Sequence, residues 1–306
     1  MNSKSKMAQG GLWLAACLSS WAGVAMASDP GMPECAGVAG VRVVHEGLGA
    51  MESAAFLPSG KLVFSQPFRS KLMRKDSLSA QPVEVASGIS MPGGIVVNSE
   101  TEVVIGTGNG PGGALPSLGL AGLARVDLAK GQVTPIVKGL SMANGVVRAP
   151  DGSYYASDNL ALSLDRVSPG GEVQRKWQNL NSNGLALSKD GRTLFVNQFL
   201  PAAVKAVNLV DGAVTLHAAV PVQRALAGLD GLDIDGQGNL YVAAYLSGEI
   251  WRASPSGQLC RLAQGLSLPS AVVVGKPGQG FAPDSVYVLS YSGRMYEIAG
   301  AVPVAP

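Results

Sequence analysis

Histidine is nearly absent from this chain. Only His45 and His217 occur, both in alternating apolar runs that read as outer strands, which sets aside catalysis by a histidine pair. No G-x-S-x-G elbow is present, so a serine hydrolase of that type has nothing to stand on. Charge is also scarce: Asp, Glu, Lys and Arg make up 14% of 306 residues, with no basic block. Nucleic acid and anionic membrane surfaces are therefore not expected as partners. Beyond the N-terminus no apolar run is long enough to span a bilayer. Gly108-x-Gly110-x-x-Gly113 has the form of a dinucleotide fingerprint, but it contains Pro111 and no helical pattern follows; it reads as loop.

Residues 1–27 read as a processing signal. Lys4 and Lys6 precede the apolar run 11–24, which ends in the small-x-small triplet Ala25-Met26-Ala27. The expected mature chain spans 28–306 and is periplasmic or secreted; a lipoprotein signal ending at Cys17 is the alternative. Without Lys4 and Lys6, basic and acidic residues balance at 21 each. Cys35 and Cys260 then remain in an oxidising compartment, where they can bridge or stay as two buried thiols.

What the sequence does have is glycine, 40 residues of it, arranged in a repeat. The stretches "ANGVVRAPDGSYYASDN" (143–159), "SNGLALSKDGRTLFVNQF" (182–199), "LDGLDIDGQGNLYVAAY" (229–245) and "MESAAFLPSGKLVFSQP" (51–67) share one register. Glu52, Asn144, Asn183 and Asp230 each have a glycine eight positions later, at Gly60, Gly152, Gly191 and Gly238. Ser270 with Gly278 gives a further unit, and Pro92 stands in the same slot of "MPGGIVVNSETEVVIGTG". Two more strand-like runs follow each hairpin. Six units of four short antiparallel strands predict one all-β domain, a six-bladed β-propeller. The leftover run 41–48 is placed to supply the outer strand of the last blade and so close the ring without an exposed edge. That closure brings Cys35 toward Cys260, where a disulfide would staple it.

In a propeller the first strand of each blade lines the central channel. The ring at one mouth then reads Glu52, Pro92, Asn144, Asn183, Asp230, Ser270. Carboxylates, amide oxygens and a hydroxyl form a hard donor set that suits a divalent cation, calcium first, with zinc or magnesium as alternatives. Without a cation the two carboxylates would repel, and one would be pushed up in pKa. Each Asn-Gly or Asp-Gly taken singly is an ordinary turn dipeptide; only the shared register speaks for a site.

The motifs "SNGLALSKDGRTLFV" and "LDGLDIDGQGNLYVAAYLSGEIWRASPSG" resemble those of the senescence marker protein (regucalcin)/gluconolactonase family of six-bladed propellers. The resemblance implies a metal-dependent lactonase in which Glu52, Asn183 and Asp230 hold the metal. It further implies that Asn144 contacts metal or substrate and that Asp230 is the general base. The first unit departs from the family's Glu-Gly-Pro-x-Trp, having "ESAAF" instead.

The ends of the second strands return to the same mouth, so Asn109, Asp158, Gln198, Tyr245 and Tyr291 are expected, with Asn144, to meet a small and neutral substrate. The glycine-rich segment 106–122, with Leu115, Leu118 and Leu120, reads either as a flap over the mouth or as a tolerated insertion. The leading expectation is an exported metal-dependent hydrolase that opens a lactone or small ester. A non-catalytic binding propeller, or a metal-free enzyme of the strictosidine-synthase kind, is the alternative.

Overall fold

The computed structural model describes residues 31–110 and 120–303. The expected signal segment and the centre of the 106–122 loop, with Leu115 and Leu118, lie outside the described residues. No helix among those described is long and apolar enough to cross a membrane.

Six four-stranded antiparallel sheets make six blades. β1 (Gly40–His45) comes first in the chain. Blade 1 holds β2 (Ala54–Phe56), β3 (Leu62–Gln66), β4 (Lys71–Lys75) and β5 (Val83–Ser87). Blade 2 holds β6 (Ile95–Val97), β7 (Glu102–Thr107), β8 (Ala121–Asp127) and β9 (Gln132–Leu140). In blade 3 are β10 (Val146–Arg148), β11 (Tyr154–Asp158), β12 (Ser163–Val167) and β13 (Val173–Gln178). Blade 4 follows with β14 (Ser182–Leu187), β15 (Thr193–Gln198), β16 (Ala203–Asn208) and β17 (Val214–Ala218). Blade 5 is β18 (Leu229–Ile234), β19 (Leu240–Ala244), β20 (Glu249–Ala253) and β21 (Leu259–Ala263). The last comprises β22 (Pro269–Val274), β23 (Val286–Ser290) and β24 (Met295–Ala299).

β1 pairs with β24, giving the order β1-β24-β23-β22. The first strand of the chain thus completes the last blade. His45 and His217 both lie on outer strands, β1 and β17.

Alternation explains how the blades pack. Along β19, Leu240, Val242 and Ala244 join a core shared with blade 4, whereas Tyr241 and Ala243 join one shared with blade 6. A strand with a neighbour on each face is buried throughout, so β3, β19 and β23 are continuous apolar-rich runs and not half-polar ones. The same arrangement repeats between every pair of adjacent blades.

Cys35 and Cys260 form a disulfide with their Cα atoms 4.9 Å apart. Around it the chain runs parallel to β21. Cys35 N–H donates to the Arg261 carbonyl at 2.9 Å, Arg261 N–H donates to the Pro33 carbonyl at 2.8 Å, and the Arg261 guanidinium pairs with Glu34. The segment is therefore fastened to blade 5 before it crosses to blade 6 as β1. Bridged residues 225 positions apart restrict the unfolded chain strongly. Replacing both cysteines with serine is expected to lower stability by about 2–5 kcal/mol, read as a lower denaturant midpoint under non-reducing conditions. An unchanged midpoint would mean that the backbone contacts alone hold the closure.

Candidate active site

The channel encloses a cavity of about 460 Å³, within the range of small-molecule sites. Glu52, Asn144, Asn183 and Asp230 line it. The walls are inner-strand apolar residues such as Val146, Leu185, Leu232 and Val272, and Asp233 and Lys276 lie toward the opposite end.

The glycines that follow the ring residues explain the local sequence. Gly145, Gly184 and Gly231 have no left-handed φ, so they are not turn glycines. A Cβ on Gly184 would stand 2.2 Å from the Asp230 carbonyl oxygen; one on Gly231 would stand 2.5 Å from that of Ser270. Neighbouring inner strands approach so closely at this mouth that no side chain fits between them. The turn is made by the glycine eight positions on, as at Gly191, where φ is 67°.

Polar side chains on the second strands hold the ring backbone in place. Asn197 Nδ2 donates to the carbonyls of Asp230 at 2.7 Å and Gly231 at 3.0 Å. Ser157 Oγ accepts from Gly145 N–H at 2.7 Å, and Ser65 Oγ from Ser53 N–H at 3.0 Å. Asn197, Ser157 and Ser65 are fully buried. Sequence reading passed them over, although a polar residue inside an apolar second strand was the available signal.

At the ring itself, Glu52 is buried. Its Oε1 accepts from Asn109 Nδ2 at 2.9 Å and its Oε2 from the Tyr291 hydroxyl. Burial pushes the Glu52 pKa up, while bonds from Tyr291, Asn109 and Asn144 hold it down. Asp230 is pushed well above the ordinary carboxylate range, first by burial and then by the charge of Glu52, against a bond from Asn183. No cationic side chain contributes to either shift. The Asn183 side-chain oxygen is buried without a hydrogen-bond partner, an uncompensated cost in a folded protein. Burial likewise raises Tyr245 and Tyr291, helped by the charges of Asp230 and Glu52.

Three of the expected wall residues meet at the ring. Asn109 and Tyr291 bond Glu52, and the Tyr245 ring stands edge-on to Tyr291 at 5.7 Å between centroids. Two others make contacts in their own loops. Asp158 Oδ1 accepts from Leu160 N–H at 2.8 Å and Ala161 N–H at 2.9 Å, and Gln198 Nε2 donates to the Pro201 carbonyl at 2.6 Å. Ser270 does not offer its hydroxyl to the channel: Oγ donates to the Met51 carbonyl at 2.6 Å, tying blade 6 to blade 1. The donor ring therefore comes down to two carboxylates and two amides. Among the described residues no group of three or more His, Cys, Asp or Glu side chains could hold a metal ion, so amide oxygens would have to supply the remaining ligands. Phe68, edge-on to Tyr291 at 5.8 Å, belongs to this wall and was not anticipated.

A family model described as the SMP-30/Gluconolactonase/LRE-like region matches residues 155–281, which include Asn183 and Asp230. The chain is a six-bladed propeller of which residues 155–281 are similar to the SMP-30/gluconolactonase region. Its fold is similar to that of a gluconolactonase from Xanthomonas campestris, at 19% identity and TM-score 0.70, over 89% of this chain and 95% of that one. It is also similar to a calcium-binding protein, regucalcin, from Agrobacterium tumefaciens strain C58, at 18% identity and TM-score 0.67, over 85% and 93%. A luciferin-regenerating enzyme matches at 16% identity and TM-score 0.64, over 85% and 95%. At these identities the likeness is one of fold. No curated protein matches the chain in sequence.

Proposed function

We propose that this propeller opens the ring of a lactone, or cleaves a small ester, at the mouth of its channel, with a divalent cation held by Glu52, Asn144, Asn183 and Asp230. The observation that carries the reading is the pairing of two buried carboxylates, unaided by any cationic side chain, with a buried amide oxygen that has no partner. A hard cation relieves both costs at once, since it returns the carboxylates to their ionised forms and gives the Asn183 oxygen a bond. Calcium suits all-oxygen donors of this kind; the regucalcin similar in fold is described as calcium-binding.

When bound, such an ion supplies Lewis-acid polarisation of the ester carbonyl. The protein's own residues do the rest. Ionised Asp230 accepts the proton of the attacking water and returns it to the alkoxide released when the acyl C–O bond breaks, leaving a hydroxy acid. Asn144 orients the substrate from the ring. Asn109 and Tyr291 hold Glu52 in place, and the tyrosine wall keeps bulk water from one side of the mouth. Export to the periplasm or outside the cell is part of the same proposal, resting on the pattern of residues 1–27.

The test is ring opening of a panel of γ- and δ-lactones by purified protein. Activity is expected to be lost in EDTA and restored by Ca²⁺ or Zn²⁺. Activity unaffected by exhaustive chelation would contradict the metal-dependent reading.

A further inference from the structure

The mouth that carries the ring is edged with apolar side chains. Phe68, Leu160, Leu162, Leu226, Leu246 and Leu268 are exposed, and each lies on a connection that the strand order places at this end of the channel. Phe68 and Leu246 follow β3 and β19, Leu160 and Leu162 join β11 to β12, and Leu226 and Leu268 precede β18 and β22. Exposed apolar groups that share one end of the channel and adjoin a site mark a binding surface.

The rim continues into the site. Phe68, 69% exposed, stands edge-on to Tyr291 at 5.8 Å, and Tyr291 edge-on to Tyr245 at 5.7 Å. The Tyr291 hydroxyl donates to Glu52. An apolar wall therefore descends from solvent to a residue of the donor ring. Two of the arginines at this end are already engaged, Arg224 with Glu249 at 2.9 Å and Arg294 with Glu46 at 3.1 Å. Gln198 Nε2 and Asp158 Oδ1 are turned to backbone groups of their loops, and Asp158 Oδ2 is buried away from solvent. A polyhydroxylated lactone needs a dense set of free hydrogen-bond partners around its ring, and this wall does not offer one.

We infer that the substrate is a lactone bearing an alkyl or acyl chain, its ring at Glu52 and Asp230 and its chain along Phe68 and Leu246. The inference rests on the ring-opening function proposed above. Binding of the chain removes apolar surface from water on both partners, and a tail longer than the ring can reach the rim.

The experiment is a series of γ-lactones with side chains of increasing length, beside glucono-δ-lactone, with kcat/KM measured for each. The expected result is a rise of about two- to fourfold per added methylene until the rim is spanned. The exposed-site variants Phe68→Ser and Leu246→Ser are expected to lose about tenfold more on the long-chain lactone than on the unsubstituted ring. A flat series with the polyhydroxylated lactone preferred would overturn the inference and leave ring opening standing. Cosedimentation with phosphatidylcholine vesicles together with a flat series would assign the rim to a lipid surface instead, and overturn it too. No turnover of any lactone would contradict the proposed function itself. In that case calorimetry with the corresponding alkyl lactams decides the matter for the rim: Kd tightening with chain length supports an apolar-tailed ligand, and Kd independent of length refutes it.

Discussion

Asp230→Asn is expected to lower kcat for lactone opening by about 10²–10⁴-fold, the usual contribution of a general base, when measured at saturating Ca²⁺ so that weakened metal binding does not contribute. The substitution keeps the shape of the side chain and an oxygen donor, so one ion should still bind, with lower affinity. Stability in EDTA carries the opposite sign. Burial and the charge of Glu52 both raise the Asp230 pKa, so the ionised pair costs stability in the metal-free protein, and removing one charge is expected to leave its unfolding midpoint unchanged or higher. A role confined to structure predicts the reverse pattern: lost stability with turnover preserved. Measuring kcat, Ca²⁺ affinity and the midpoint in EDTA on the same preparation separates the two.

The second large effect is expected at Gly184. A methyl group there would meet the Asp230 carbonyl oxygen at 2.2 Å and the Leu232 nitrogen at 2.6 Å. Both are backbone atoms, so relief requires β14 and β18 to move apart. Gly184→Ala should therefore cost at least the roughly 1–3 kcal/mol typical of overpacking and shift the Asp230 carboxylate relative to Asn183, lowering activity as well. Thermal unfolding checks it. At Gly191, where the neighbouring clash is with the Pro150 ring and φ is 67°, alanine is destabilising for a different reason, backbone strain, and lies at the end of β14 away from the ring. Loss of activity beyond the loss of folded protein is thus expected for Gly184→Ala and not for Gly191→Ala. If Asn183-Gly184 were only a turn dipeptide, Gly184→Ala would behave as Gly191→Ala does, costing stability but leaving the activity of the folded protein unchanged.

The fold was legible because its repeat is written in register. A polar residue and a glycine eight positions later recur in blades 1, 3, 4, 5 and 6, and in blade 2 Pro92 takes the same slot without the glycine. The closing strand followed from counting, since the last unit lacked one strand and the chain began with one to spare. The site was legible only in part. Register assigns a residue to a place on a strand, but not the partner its side chain will take. Ser270 occupies the ring position, yet its hydroxyl is drawn to the Met51 carbonyl because the inner strands of blades 6 and 1 are close enough to share it. Asp158 and Gln198 both stand at the ends of second strands, but Asp158 caps the turn that follows it and Gln198 bonds the Pro201 carbonyl of its own loop. The meaning of the glycine after each ring residue also needed coordinates: a sequence cannot distinguish a glycine demanded by φ from one demanded by a neighbouring backbone. Phe68 was missed because a single exposed aromatic in a loop carries no periodic signal, and its place in the wall depends on Tyr291, more than 200 residues away.

The proposed cation site draws four residues from four blades together at the channel mouth. Its most direct test is calorimetric titration of Ca²⁺ into chelator-stripped protein, for the native chain and for Asn183→Leu, which removes the unpartnered buried oxygen without altering charge. One ion per chain, and binding weakened at least tenfold by the substitution, is the predicted result. Absence of binding by the native chain, or affinity indifferent to Asn183→Leu, would contradict it.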